Sequence, residues 1–281
     1  MNKKVCVCGA GTMGCGIAMV AAQSGLTTLV YDVNEAIIQK AKLKIDKDLS
    51  ILIEKNKISQ TDQENVQSRL SFTHDIGECV ADIIIEAIIE KIDAKENLFS
   101  QLEKINPLGT VFATNTSSIS ITDIAKTVLR PEKFIGMHFF NPATIMKLVE
   151  VVNTRYTSEH TTQTIVGLAI HLGKVPVICN DSPGFIVNRV ARPYYLEALQ
   201  LFEKGIGDFE SIDSIMEASG FKMGPFRLMD LIGNDINYTV SCSLYDALNQ
   251  PERLKPSYVQ QERLKRNELG RKTGKGYYTY G

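Results

Sequence analysis

Apolar and polar positions follow two periods along the first two thirds of the chain. Continuous apolar runs lie at residues 4–8, 27–31, 83–85, 111–114, 134–137, 148–152 and 175–178. Each is too short for a helix, and most are rich in Val and Ile, so each predicts a buried strand. Between several of them, apolar residues recur at three- and four-residue spacing. Thr12 to Ser24 predicts a helix closed by Gly25, and Asn34 has N-cap chemistry for a long helix from Glu35 to near Glu54. Strands alternating with helices predict an α/β fold with a mostly parallel sheet covered on both faces.

The pattern changes at Asn180-Asp181-Ser182-Pro183-Gly184. Beyond this punctuation strand-like runs nearly vanish, and residues 185–204, 209–219 and 228–248 carry helical periodicity. Two domains are expected: residues 1–182, and an all-α C-terminal domain at 183–281. Leu196, Leu199, Phe202 and Leu228 form stripes too rich for one small domain to hide, which predicts a homodimer through this domain. The chain then reads as a glycine-broken tail, Gly270-Arg271-Lys272-Thr273-Gly274-Lys275-Gly276.

Composition narrows the function. The 281 residues carry a formal net charge of -1, which gives no global field to draw nucleic acid or an anionic membrane. No window approaches the roughly 18 apolar residues of a membrane span. Met1-Asn2-Lys3-Lys4-Val5 begins like a signal peptide, but the apolar run breaks at Gly9, so a cytoplasmic protein is expected. The six cysteines include no Cys-x-x-Cys pair. Neither a zinc knuckle nor a redox motif is indicated, no metal is expected, and the cysteines read as small buried hydrophobes.

The first chemical motif is Gly9-Ala10-Gly11-Thr12-Met13-Gly14, between a predicted strand and a predicted helix. Gly9 permits a tight turn, Gly11 admits a pyrophosphate, and Gly14 allows close packing, the pattern of a Rossmann-type dinucleotide site. Unpaired N–H groups at the helix start favour the phosphates. Asp32 ends the second strand, where a carboxylate binds ribose hydroxyls and repels a 2′-phosphate. No Arg follows in Val33-Asn34-Glu35-Ala36, so NAD is favoured over NADP. FAD is a competing ligand for the same fingerprint.

His138, in Gly136-Met137-His138-Phe139-Phe140-Asn141-Pro142, ends another predicted strand, where open parallel sheets bind ligands. Its imidazole suits a base that takes an alcohol proton. Glu150 could orient that ring, but spacing alone does not bring the two together, and a lone His at a strand end is more often structural. Thr114-Asn115-Thr116-Ser117-Ser118 follows a further strand. It reads equally as a helix-capping turn or as hydroxyls for a substrate or the nicotinamide ribose. His74, His160 and His171 are assigned no chemistry.

Taken together, these clusters resemble the 3-hydroxyacyl-CoA dehydrogenase family. The matching pieces are Gly-Ala-Gly-Thr-Met-Gly (9–14), Ile-Glu-Ala-Ile-Ile-Glu (85–90), Asn-Thr-Ser-Ser (115–118), His-Phe-Phe-Asn-Pro (138–142), Lys-Leu-Val-Glu-Val (147–151), Asp-Ser-Pro-Gly-Phe-Ile-Val-Asn-Arg (181–189), Met-Gly-Pro-Phe (223–226) and Gly-Arg-Lys-Thr-Gly-Lys-Gly-Tyr-Tyr (270–278). They run through nearly the whole chain. With no hydratase domain attached, the chain looks most like the single-function bacterial 3-hydroxybutyryl-CoA enzymes.

The resemblance implies reversible NAD-dependent oxidation of a short 3-hydroxyacyl-CoA such as (S)-3-hydroxybutyryl-CoA to its 3-keto form, in fatty acid metabolism. It implies His138 as catalytic base paired with Glu150, and Ser117 and Asn188 as holders of the substrate's oxygens. Glu90, Lys95, Asn141 and Lys272 would join Asp32 around NAD, with Ser117 near the nicotinamide. Lys55 would approach the CoA phosphates, in a lysine-rich stretch that otherwise reads as a solvated helix face. Lys95 without the resemblance would also be a solvated charge. Asp48 stands where the family often has Ser, a departure at a CoA contact. The substrate is expected in a cleft to which the C-terminal domain contributes. A dehydrogenase of a free hydroxy acid or a gulonate-like sugar acid on the same fold is the alternative enzyme. A crystallin-like protein that binds NAD without turnover is the non-enzymatic one.

Overall fold

The computed structural model describes residues 3–281; Met1 and Asn2, which belong to the segment read above for a signal peptide, lie outside them. The described residues form two compact units that divide between Ser182 and Pro183.

The first unit runs β1 (Lys4–Cys8), α1 (Thr12–Gln23), β2 (Thr27–Tyr31), α2 (Glu35–Glu54), α3 (Gln60–Arg69), β3 (Leu70–Thr73), β4 (Ile83–Glu86), α4 (Ile92–Ile105), β5 (Val111–Thr114), α5 (Ile121–Ala125), β6 (Phe134–Phe139), β7 (Leu148–Asn153), α6 (Glu159–His171) and β8 (Val175–Asn180). The strands make one sheet in the order β3-β2-β1-β4-β5-β6-β7-β8. Every pairing is parallel except β6 with β7. The connection between those two, Phe140 to Lys147, is too short for a parallel crossover, so the chain must turn back on itself.

Helix faces follow their apolar spacing. In α2 the buried residues are Ile38, Ala41, Ile45 and Leu49, while Lys40, Lys44 and Lys47 face solvent. In α4 the buried stripe is Lys95, Leu98, Phe99 and Leu102. Phe99 meets Phe112 of β5 and Phe134 of β6 edge-on, with centroids 6.2 and 4.7 Å away. Such pairs add about 0.5–1.5 kcal/mol beyond their buried area and fix α4 against the sheet. The edge strand β3 had no counterpart among the predicted strands. It is only partly buried, and its Leu-Ser-Phe-Thr run is too short and polar to announce itself.

The second unit is helical: α7 (Val187–Glu203), α8 (Phe209–Ala218), α9 (Pro225–Ile232), α10 (Asn234–Ala247) and α11 (Tyr258–Lys265). The single periodic run expected over 228–248 is broken at Gly233, whose φ of 104° no helix accommodates. Leu196, Leu199, Phe202 and Leu228, from which a dimer was argued, all pack into this unit's own core, so that argument does not hold. The glycine-broken tail is pinned. The buried carboxylate of Asp230 accepts from the backbone N–H groups of Tyr277 and Tyr278, the Tyr280 hydroxyl and the Asn234 amide, each at 3.0 Å.

No helix of the described residues is long and apolar enough to cross a membrane.

Candidate functional site

Because β1, β2, β4, β5 and β6 run parallel, their carboxyl ends share one edge of the sheet. Gly9, Asp32, Glu86, Thr114 and His138 stand along it, in the crevice position where open α/β sheets bind ligands.

The glycine turn begins that edge. Gly9 has a φ of 106°, and a Cβ there would lie 2.4 Å from the Ala87 carbonyl oxygen. A Cβ on Gly14 would lie 1.7 Å from the Gly9 carbonyl oxygen, so both positions admit only glycine. Gly11, by contrast, faces open space and precedes α1, whose N-terminus has no side-chain cap. Asp32 is held by the Ala10 N–H at 3.0 Å and the Asn34 N–H at 3.1 Å. One lone pair on each carboxylate oxygen remains for a ribose hydroxyl. A cavity of about 660 Å³ opens beside the turn, lined by Gly11, Asp32, Ile37, Ile76, Leu98 and Gln101 among others. An uncapped helix start, a bare glycine, a carboxylate and an apolar slot fit the pyrophosphate, ribose and adenine of NAD. Thr12 and Met13 occupy the first turn of α1 beside it.

A buried ionic network forms the next part of the edge. Lys95 is 1% exposed, not solvated, and its ammonium lies 2.6 Å from Glu86 and 3.1 Å from Glu90. Glu86 also accepts from the Thr114 hydroxyl at 2.6 Å and the Ile88 N–H at 2.7 Å. Burial pushes the Glu86 carboxyl above its ordinary value, against the opposing pull of Lys95. Glu90 accepts from the Thr116 hydroxyl at 2.5 Å, the Ser117 N–H at 3.1 Å and the Ser118 hydroxyl at 3.0 Å. Burial works against its charge too, but Lys95 and these hydroxyls outweigh it and hold Glu90 below the ordinary carboxylate value. The Thr114–Ser118 turn is therefore folded around Glu90, and Ser117 is held by its backbone. Sequence reasoning had Glu90, Lys95 and Ser117 but missed Glu86, which anchors them.

At the end of β6, His138 Nδ1 lies 2.8 Å from Glu150 Oε2. The two are directly opposite in the antiparallel pair and are 6% and 1% exposed. Opposed residues in such a pair share a face, which is what spacing alone did not reveal. The Asn115 side chain accepts from the Phe139 N–H at 2.8 Å, tying the Thr114–Ser118 turn to this strand end. Lys174, which the sequence did not single out, donates to the carbonyls of Ala143 at 2.5 Å and Met146 at 2.9 Å. It braces the connection that brings Glu150 back.

The remaining predicted residues fall as follows. Asn141 is exposed, just beyond His138. Lys55 is exposed at the C-cap of α2, and Asp48 is paired with Lys44 at 2.5 Å. In the second unit, Asn188 is half-buried in the first turn of α7, and Lys272 pairs with both oxygens of Asp235 at 2.6 Å. His74, His160 and His171 are exposed.

Sheet order, glycine turn and ribose-facing carboxylate define the class: a Rossmann-type NAD-binding α/β protein, with a histidine–carboxylate pair at the cofactor edge. More narrowly, the chain belongs to the 3-hydroxyacyl-CoA dehydrogenase family. Residues 4–182 match the model of that family's NAD binding domain, and residues 184–280 match its C-terminal domain. It is 41% identical to a probable 3-hydroxybutyryl-CoA dehydrogenase of Deinococcus radiodurans over 98% of this chain and 99% of that one. It is 44% identical to a 3-hydroxyadipyl-CoA dehydrogenase of Escherichia coli over 98% of this chain, which spans 58% of that relative's length. Among solved structures, the (S)-3-hydroxybutyryl-CoA dehydrogenase of Ralstonia eutropha superposes with a TM-score of 0.94 at 36% identity, covering 100% of both chains.

Proposed function

We propose that this protein interconverts (S)-3-hydroxybutyryl-CoA, or a close short-chain 3-hydroxyacyl-CoA, and its 3-keto form with NAD. The observation that carries the reading is the buried His138–Glu150 pair at the cofactor edge. When bound, NAD supplies the hydride acceptor. His138 takes the C3 hydroxyl proton. With Nδ1 turned to Glu150, that transfer falls to Nε2, and Glu150 fixes the tautomer and balances the charge the ring gains. In the reductive direction the imidazolium returns the proton.

Ser117 and Asn188 hold the substrate's oxygens in reacting geometry. Among the described residues the Ser117 hydroxyl has no partner, which suits that task. Gly9, Gly11, Thr12, Met13, Gly14 and Asp32 hold the dinucleotide, with Glu90, Lys95, Asn141 and Lys272 completing its site. Lys95 acts through Glu90, since its ammonium is already enclosed. Lys55 offers an exposed charge to the CoA phosphates.

A cytoplasmic location goes with this reading and is supported by six free cysteines, which a reducing compartment would keep unpaired. It acts as a homodimer through the helical unit. In place of the stripes discounted above, exposed Val190, Leu231, Ile232 and Ile236 on the mutually packed α7, α9 and α10 support this.

The test is the loss of NADH absorbance with acetoacetyl-CoA, repeated with NADPH. Rapid loss with NADH and slow loss with NADPH are expected. No turnover by protein that binds NADH would overturn the reading and direct the search to free hydroxy acids.

A further inference from the structure

Three thiols meet beneath β1, on the face of the sheet that also carries Glu86 and Thr114 but apart from the ionic network those two form. Cys6 and Cys8 alternate along β1, so both project from one face of the sheet. Cys79 follows the 3-10 turn Ile76–Glu78 and reaches the same place. All three are 0% exposed. Cys6 Sγ and Cys8 Sγ are 3.9 Å apart, and the three sulfurs lie within 4.8 Å of one another. No disulfide joins them.

We propose that Cys6, Cys8 and Cys79 form a binding site for one soft, thiophilic d10 dication, held by three sulfurs in a trigonal arrangement. Metal–sulfur bonds of about 2.3 Å place trigonal sulfurs about 4.0 Å apart. The Cys6–Cys8 separation of 3.9 Å is close to that value, and no pair of the three sulfurs exceeds 4.8 Å. Soft thiolates select soft ions over hard ones. Among the described residues no fourth His, Cys, Asp or Glu joins the group. This disfavours structural zinc, which takes four ligands, and favours a heavier congener such as cadmium. On binding, three S–H protons leave to solvent and three metal–sulfur bonds form. The site then carries a net charge of one minus. Cys79 is flanked by exposed Glu78 and Val80, which gives the ion a short path inward.

The location gives the site a consequence. Cys8 precedes Gly9, and Cys79 ends the turn that carries Ile76; both Gly9 and Ile76 line the dinucleotide cavity. An ion bound there cross-links two walls of the cavity from behind.

The experiment is an anaerobic titration of the reduced, metal-free, full-length protein with Cd²⁺, followed by the sulfur-to-metal charge-transfer band. One equivalent per chain is expected, together with a rise in the thermal midpoint. The triple variant Cys15→Ala/Cys179→Ala/Cys242→Ala should keep the equivalent, and Cys79→Ala should lose it. Should Cys79→Ala not fold, Cys6→Ala carries the same test. No band in the wild-type protein, or a band that persists without Cys79 and disappears with the other three cysteines, would overturn the proposal.

Discussion

His138 and Glu150 face one another across the sheet's single antiparallel pairing, 2.8 Å apart at the nearest atoms and out of solvent. Register, rather than a flexible loop, joins imidazole and carboxylate, so in the proposed reaction the imidazole would start already oriented. Replacing His138 by Gln should lower kcat by about 10²-fold or more, the scale of general acid–base catalysis, and leave NADH affinity nearly unchanged. Glu150→Gln should also lower kcat at least tenfold, on the same scale, and alter the pH profile, because the tautomer is no longer fixed. Steady-state kinetics beside a fluorescence titration of NADH separates the effects. Near-normal turnover in His138→Gln would remove that residue from its role.

Lys95 lies inside the protein between two carboxylates, and removing its charge strands Glu86. Lys95→Met should cost about 3–5 kcal/mol of stability, the usual penalty for breaking a buried pair on one side. The double variant Lys95→Met/Glu86→Gln should recover much of that loss. Urea unfolding of the two proteins decides; equal stability of single and double variants would mean that Glu86 does not depend on Lys95.

The two carboxylates respond oppositely to acid. Glu90 is held below the ordinary value, so its contribution to stability is complete above the unfolded-state value of about 4.3 and is lost as pH falls through the depressed folded value. The stability gap between the wild-type protein and Glu90→Gln should therefore be constant near neutrality and close in acid. A gap that widens as pH falls would contradict the assignment. Glu86, raised by burial, works in the reverse sense, its preference for the fold fading as pH rises.

Asp32 accepts two backbone N–H groups and faces the cavity. Asp32→Ala should raise the NADH dissociation constant about 10- to 100-fold, the worth of one or two charge-assisted bonds. It should also narrow the preference over NADPH, since the repelling carboxylate is gone. Parallel titrations with both cofactors check this.

Exposed Ile236 on α10 and Leu231 on α9 test the homodimer. Ile236→Asp should shift sedimentation from two chain masses toward one at micromolar concentration. A wild-type protein that already sediments as one chain would end the dimer proposal.

Much of the sheet and its glycine turn was legible because buried parallel strands are continuous apolar runs and Gly-x-Gly-x-x-Gly has a single backbone solution. The His138–Glu150 pairing was less so. The apolar runs at 134–137 and 148–152 are joined by too few residues for a helical crossover, and that count held the clue to antiparallel pairing. Lys95 was readable as buried from its place in the 95, 98, 99, 102 stripe, but its charge suggested solvent instead. Glu86 gave no signal beyond a carboxylate ending an apolar strand. The meeting of Cys79 with Cys6 and Cys8 is set by tertiary packing over a long stretch of sequence, which no local spacing rule can report.

Asp230 gathers donors from Asn234 and from Tyr277 to Tyr280, the second set supplied more than forty positions later in the chain. A protein emerging from the ribosome offers Asp230 long before those partners exist. Until they arrive, the carboxylate is better solvated outside a closed core than buried within one. Residues 277–280 thus supply most of the donors that let Asp230 stay buried, and they belong to the interior of the helical unit rather than trailing from it.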